Sequence, residues 1–189
     1  MSDDGGPTDA RARVRLALEA QLRSWRAALD SGAARVGWKV GLNVTEVEEV
    51  KSSEPVFGHL TSATRLEPGG VFHACGVRAL RAEAEVAVEI GRDLRAGDGL
   101  EAVRAAVAGF ALALESSTSS HRSRASRGVV ADNVYHRAFV LGPTQTVAPG
   151  TRLAATLRVN GEVLDSSATT EDFAAKLLQR VAMTLCRAV

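Results

Sequence analysis

Cysteine is almost missing from this chain. Cys75 and Cys186 are the only two, far apart and in no metal-ligand spacing. They build neither a disulfide framework nor a thiolate metal site, and the expectation is two buried or half-buried free thiols. Histidine adds little: His59, His73, His121 and His136 form neither HxH nor HExxH, which argues against zinc. No apolar run approaches the ~18 residues of a membrane helix. The start, MSDDGGPTDA, is acidic and polar, the opposite of a secretory signal. A cytoplasmic protein is expected. Net charge is only +1, so no excess of one sign points to nucleic acid or a membrane surface as partner.

Lysine is scarce too. Of 23 Lys and Arg residues only Lys39, Lys51 and Lys176 are lysine. A chain that otherwise uses arginine keeps a lysine inside the apolar segment VGWKVGL. Lysine can lose its proton when desolvated and arginine effectively cannot, so Lys39 is a candidate for chemistry.

What is present describes a globular domain: 189 residues, 46% hydrophobic and 24% charged, enough to bury a substantial core. Residues 1–10, rich in Gly, Asp and Pro, read as a disordered tail, and 11–189 as a single domain. Val14, Leu16, Leu18, Leu22, Trp25 and Leu29 predict a helix over 11–29 that Ser31-Gly32 closes. Val36, Trp38, Val40 and Leu42 alternate with Gly37, Lys39 and Gly41, predicting a strand whose small-residue face carries Lys39. A short helix is expected over 45–51 and a Pro-Gly-Gly turn at 68–70.

The clearest strand is 81–90, with Ala82, Ala84, Val86, Val88 and Ile90 on one face and Glu83, Glu85 and Glu89 on the other. A helix over 100–108 precedes a strand, 110–115, that ends on Glu115; 116–127 reads as a Ser/Arg-rich loop, in which HRSRASR is a solvated segment or a cationic patch. The stretch from Asn133 leads into a strand, YHRAFVLG at 135–142; a strand at 153–159, a hairpin turn at Asn160-Gly161-Glu162 and a helix over 170–188 follow. Phe173, Leu177, Leu178, Val181 and Leu185 form that helix's apolar stripe. The class is strand-rich α+β.

Two glutamates at i and i+2 on a strand point to one side, ~7 Å apart along the chain. A third carboxylate from another strand could complete a set of hard oxygen ligands, suited to magnesium, manganese or calcium. On spacing alone a solvated strand face is the better explanation of Glu83 and Glu85, and Glu89 on the same face shows how easily such a pattern arises.

GWKVGL at 37–42, EPVFG at 54–58, RAEAEVAVEIGRDL at 81–94, ALALE ending at Glu115, ADN at 131–133 and FVLG at 139–142 occur in this order. Together they resemble the signature blocks of the 2-keto-4-pentenoate hydratase and 4-oxalocrotonate decarboxylase group of the fumarylacetoacetate hydrolase superfamily, from about residue 20 to about 185. The resemblance implies a mostly β fold, a bent sheet or barrel with peripheral helices. It implies that Glu83, Glu85 and Glu115 bind Mg2+ or Mn2+, that Lys39 lies in the same pocket, and that Asp132 is a candidate substrate-binding residue. The implied substrates are 2-hydroxy-2,4-dienoates, the enols of 2-oxo-4-enoates. The metal would stabilise the enolate that hydration or decarboxylation passes through, and Lys39 would shuttle a proton or clamp the substrate carboxylate.

The chain departs from the group's pattern at Val56 and Thr118, where relatives often carry aspartate, and it is shorter at both ends. A C-terminal sheet segment is expected to be missing, leaving an edge for a homodimer or a related enzyme to cover. The leading expectation is a metal-dependent hydratase. The alternatives are a weakened or inactive paralogue serving as structural partner of a full-length enzyme, and an acylpyruvate-type carbon–carbon hydrolase.

Overall fold

A computed structural model describes residues 7–41, 56–77, 79–118 and 128–188. The helix expected over 45–51 and the segment HRSRASR at 121–127 lie outside the described residues. In chain order the elements are α1 (Pro7–Asp30), β1 (Arg35–Gly41), β2 (Val56–Thr61), β3 (Arg65–Leu66), β4 (Leu80–Ile90), α2 (Leu100–Ala106), β5 (Val107–Thr118), β6 (His136–Leu141), β7 (Arg152–Val159), β8 (Glu162–Thr170) and α3 (Glu171–Ala188). The strands form a β1-β2 pair, a four-stranded sheet ordered β3-β6-β5-β4, and a β7-β8 pair. The fold is mostly β with helices, as expected, and the sheets are open: no closed barrel forms among the described residues. Among those residues no helix is long and apolar enough to cross a membrane.

Contacts divide the chain into two compact units. Unit 1 comprises residues 1–65, 73–81 and 117–138; unit 2 comprises 66–72, 82–116 and 139–189.

In unit 1, α1 begins at Pro7, earlier than composition suggested, because proline's fixed φ suits the first helical turn. The helix closes with Gly32 N donating to Leu29 O and Ala33 N to Ala28 O, the bond pair of a Schellman motif. Its buried face is not purely apolar. Leu22 and Trp25 are buried beside Gln21, which is 0% exposed, whereas Leu16 is exposed. Gln21 Nε2 donates to Phe57 O at 2.7 Å and Val130 O at 2.8 Å, so this amide ties the helix to β2 and to the turn after Gly128. The Trp25 and Trp38 rings meet at 5.5 Å, and the Arg35 guanidinium sits 4.9 Å over Trp25.

β1 and β2 pair antiparallel, with Trp38 opposite His59 and Lys39 opposite Gly58. Glycine is required at 58. A Cβ there would lie 2.8 Å from Lys39 Cγ and 3.0 Å from both Asn133 O and Asn133 Oδ1. Gly58→Ala should therefore cost about 1–3 kcal/mol of overpacking. Urea unfolding checks this, and an unchanged midpoint would show that the approach is loose.

In unit 2, α3 opens with Phe173 N donating to Thr170 Oγ1 at 3.2 Å, an N-cap bond. Glu171 and Asp172 fill its first turn, favourable for the helix dipole. Arg104 of α2 pairs with Glu171 and Asp172, joining the two helices. The buried side of α3 runs through Ala174, Ala175, Val181 and Ala182, while Phe173 of the expected stripe is exposed. Small side chains let the helix approach closely, and the larger ring is left outside. Asn160 and Gly161, both with positive φ, form the tight turn between β7 and β8.

Two expectations are corrected. Cys75 is a free, exposed thiol and is not buried. The strand carrying Glu115 does not end there: β5 continues through Ser116, Ser117 and Thr118, and the last two are buried. Small hydroxyl side chains are compatible with a strand once the backbone has ladder partners.

Candidate functional site

β4 places Glu83 and Glu85 on one side, because successive side chains alternate. β5 is its direct neighbour in the sheet and presents Glu115 to the same place. One ligand oxygen from each of Glu83, Glu85 and Glu115 lies within 4.8 Å of the others. Glu83 is exposed, Glu85 half-buried and Glu115 buried, at 2% exposure. Tertiary pairing thus selects these three and leaves out Glu89, which accepts a hydrogen bond from Thr144 Oγ1.

Three carboxylates this close repel one another unless a cation neutralises them. The donor set is all oxygen and offers no nitrogen or sulfur, so it fits magnesium, calcium or manganese. The 4.8 Å span is about the separation of two oxygens on opposite sides of one calcium ion, twice a bond of ~2.4 Å. All three glutamates belong to unit 2.

The sequence profile of the fumarylacetoacetate (FAA) hydrolase C-terminal region matches residues 32–185. The chain belongs to the FAA hydrolase family. Among solved structures it is similar to the 4-oxalocrotonate decarboxylase from Pseudomonas putida G7 complexed with magnesium and adipate. That match has a TM-score of 0.74 and 25% identity, over 90% of this chain and 68% of the decarboxylase. The same enzyme complexed with calcium and acetate matches with a TM-score of 0.73 and 26% identity, over the same shares of each chain. No curated protein matches the chain.

The remaining residues that the FAA hydrolase resemblance singled out lie in unit 1. Lys39 is the one buried residue of β1, at 8% exposure, and its Nζ donates to Val134 O at 3.3 Å. Asp132 accepts a hydrogen bond from Arg137 at 3.1 Å, an ion pair that joins the turn before β6 to the start of that strand. Val56 and Thr118, at the positions of departure, are both buried.

Sequence reasoning passed over His59 and Gln21. Gln21 interrupts the apolar stripe of α1 between Leu18 and Leu22, and that interruption was the available signal. His59 is buried, and neither ring nitrogen finds a hydrogen-bond partner among the described residues. Burial, and secondarily the nearby His136, push its pKa down to about 4. The folded state therefore holds His59 neutral, while the unfolded chain takes up a proton near its ordinary value of 6.5. Between those values the unfolded state binds more protons, so stability is fully present above 6.5 and falls as pH drops toward 4. The loss should be on the order of 2–3 kcal/mol. Melting midpoints across that range should fall less steeply in His59→Phe than in wild type; parallel curves would remove His59 from the pH response.

Proposed function

We propose that this FAA hydrolase family member is a metal-dependent lyase acting on 2-hydroxy-2,4-dienoate or 2-oxo-4-enoate carboxylic acids. The observation that carries the reading is the meeting of Glu83, Glu85 and Glu115 oxygens within 4.8 Å on adjacent strands. In the proposal these three carboxylates hold Mg2+ or Mn2+. Bound there, the cation supplies Lewis acidity toward the carboxylate and neighbouring oxygen of a 2-oxo acid, favouring the enolate. The resemblance supports Lys39 as the acid–base or substrate-clamping group, and its burial fits a functional ammonium better than a snorkelling one. Asp132 is a weaker candidate for substrate contact, because Arg137 already engages its carboxylate.

Hydration is the leading reaction. It requires protonation at the far end of the dienol and addition of water to the resulting enone. Decarboxylation is the second reading, favoured by the similarity to 4-oxalocrotonate decarboxylase. The test is loss of the ultraviolet band of a 2-hydroxydienoate with and without magnesium, alongside carbon dioxide release from a dicarboxylate analogue. Band loss without gas supports the hydratase, and gas release supports the decarboxylase. A protein inert toward both substrates and acylpyruvates, alone and with a related full-length enzyme, would instead be a structural paralogue.

We also propose self-association or pairing with a related enzyme. Leu112 on β5 and Val163 and Leu164 on β8 are more than half exposed, and uncovered apolar strand surface favours association. Light scattering should report a dimer or larger species, of the protein alone or mixed with a related enzyme; a monomer at high concentration in both samples would refute this.

A further inference from the structure

Asn133, Val134 and Tyr135 adopt positive φ in succession, 51°, 53° and 57°. None is glycine, and β-branched Val134 is the least suited to this region. Such a run persists only where surrounding structure over-determines it. Here the constraint is visible. Asn133 Oδ1 accepts from His59 N at 2.7 Å, and Asn133 Nδ2 donates to His59 O at 2.9 Å. One carboxamide thus satisfies both backbone groups of His59, in place of a strand neighbour.

The residues on either side of this clamp belong to Lys39. Its Cα partner Gly58 precedes His59, and the Lys39 stem lies so close over Gly58 that a Cβ would be 2.8 Å from Lys39 Cγ. The Lys39 ammonium donates to Val134 O, the carbonyl following Asn133. The left-handed turn supplies the acceptor for the ammonium, and the Asn133 carboxamide fixes that turn to the strand beneath the lysine stem.

We propose that Asn133 is a positioning residue for Lys39. Its side chain clamps the left-handed turn to β2 and so holds the ammonium at one place. The effect on turnover rests on the lyase reading above; the effect on the lysine itself does not.

The test separates backbone tolerance from side-chain clamping. Asn133→Gly accommodates positive φ without strain but removes the carboxamide. Asn133→Asp keeps an acceptor for His59 N and loses the donor to His59 O. With trace acetic anhydride, acetylation of Lys39 is read by peptide mass spectrometry against Lys176, whose side chain is 60% exposed. In wild type Lys39 should react far more slowly than Lys176. In Asn133→Gly the Lys39-to-Lys176 ratio should rise about tenfold or more through local opening, with a smaller rise in Asn133→Asp. On an active protein kcat should fall about 10- to 100-fold in Asn133→Gly, as expected for a displaced catalytic group, while KM changes little.

A wild-type ratio in Asn133→Gly would overturn the proposal and leave Asn133 as a residue chosen only for its φ. Should the glycine variant not melt cooperatively, Asn133→Asp decides by the same ratio, and wild-type protection there would overturn it. Wild-type protein without turnover on any substrate sinks the lyase reading, while the acetylation ratio still decides the role of Asn133.

Discussion

Magnesium should raise the melting midpoint of the wild-type protein, and Glu83→Gln/Glu85→Gln should abolish that rise. A cation bound to the folded state at about 100 times its Kd stabilises it by about 2.7 kcal/mol. For a chain of this size that amounts to roughly 5–10 °C. The expectation has a second, opposite sign. Without cation, the double variant should melt no lower than wild type, and higher where repulsion dominates, because two of three mutually repelling carboxylates become neutral amides. Loss of the magnesium response together with undiminished metal-free stability would be hard to obtain from general damage. Glu89→Gln is the control: Glu89 lies on the same strand, is engaged by Thr144, and should leave the response intact. A double variant that still responds to magnesium like wild type would remove the glutamates from metal binding.

Lys39→Met should lower turnover by at least about two orders of magnitude, the usual worth of a positioned acid–base group, while the fold and the magnesium response remain. The stability balance is close. Val134 O loses a donor, a cost of about 1 kcal/mol, and the relief of a buried ammonium at 8% exposure offsets it. Retention of full activity would leave the metal proposal standing and remove Lys39 from the chemistry. A protein serving only as a scaffold would show no turnover to lose, and its thermal midpoint would change little.

The elements with strong local pattern were legible in advance. The 81–90 strand alternates small apolar residues with glutamates and is found as β4. The Asn160-Gly161 turn is set by two residues that tolerate positive φ, and the last helix begins within a residue of its expected start. The pattern misled where burial is decided by distant partners. Gln21 takes a core place because Phe57 O and Val130 O accept its amide, and no hydropathy scale counts those acceptors. Phe173 is exposed while Ala174, Ala175 and Ala182 are buried, so the packed side of the last helix is not the one its large apolar residues marked. Ser117 and Thr118 looked too polar for a strand, yet β5 has neighbours on both sides that satisfy its backbone.

By itself the sequence determined the class, the strand carrying two same-side glutamates, and a lysine opposed to the chain's preference for arginine. Alternation at period two is local, so it is written in a single strand. It could not choose between a metal set and a solvated face, since Glu83, Glu85 and Glu89 share one periodicity. The adjacency of β4 and β5 brings Glu115 to the first two and leaves Glu89 to Thr144, and the metal proposal rests on that arrangement. The same holds for Asn133. Its amide could have faced water, and only the pairing of β1 with β2, which sets Lys39 over Gly58 beside the left-handed turn, gives it both backbone groups of His59 to hold. Distances between residues far apart in sequence depend on how strands register and stack, and no local propensity encodes them.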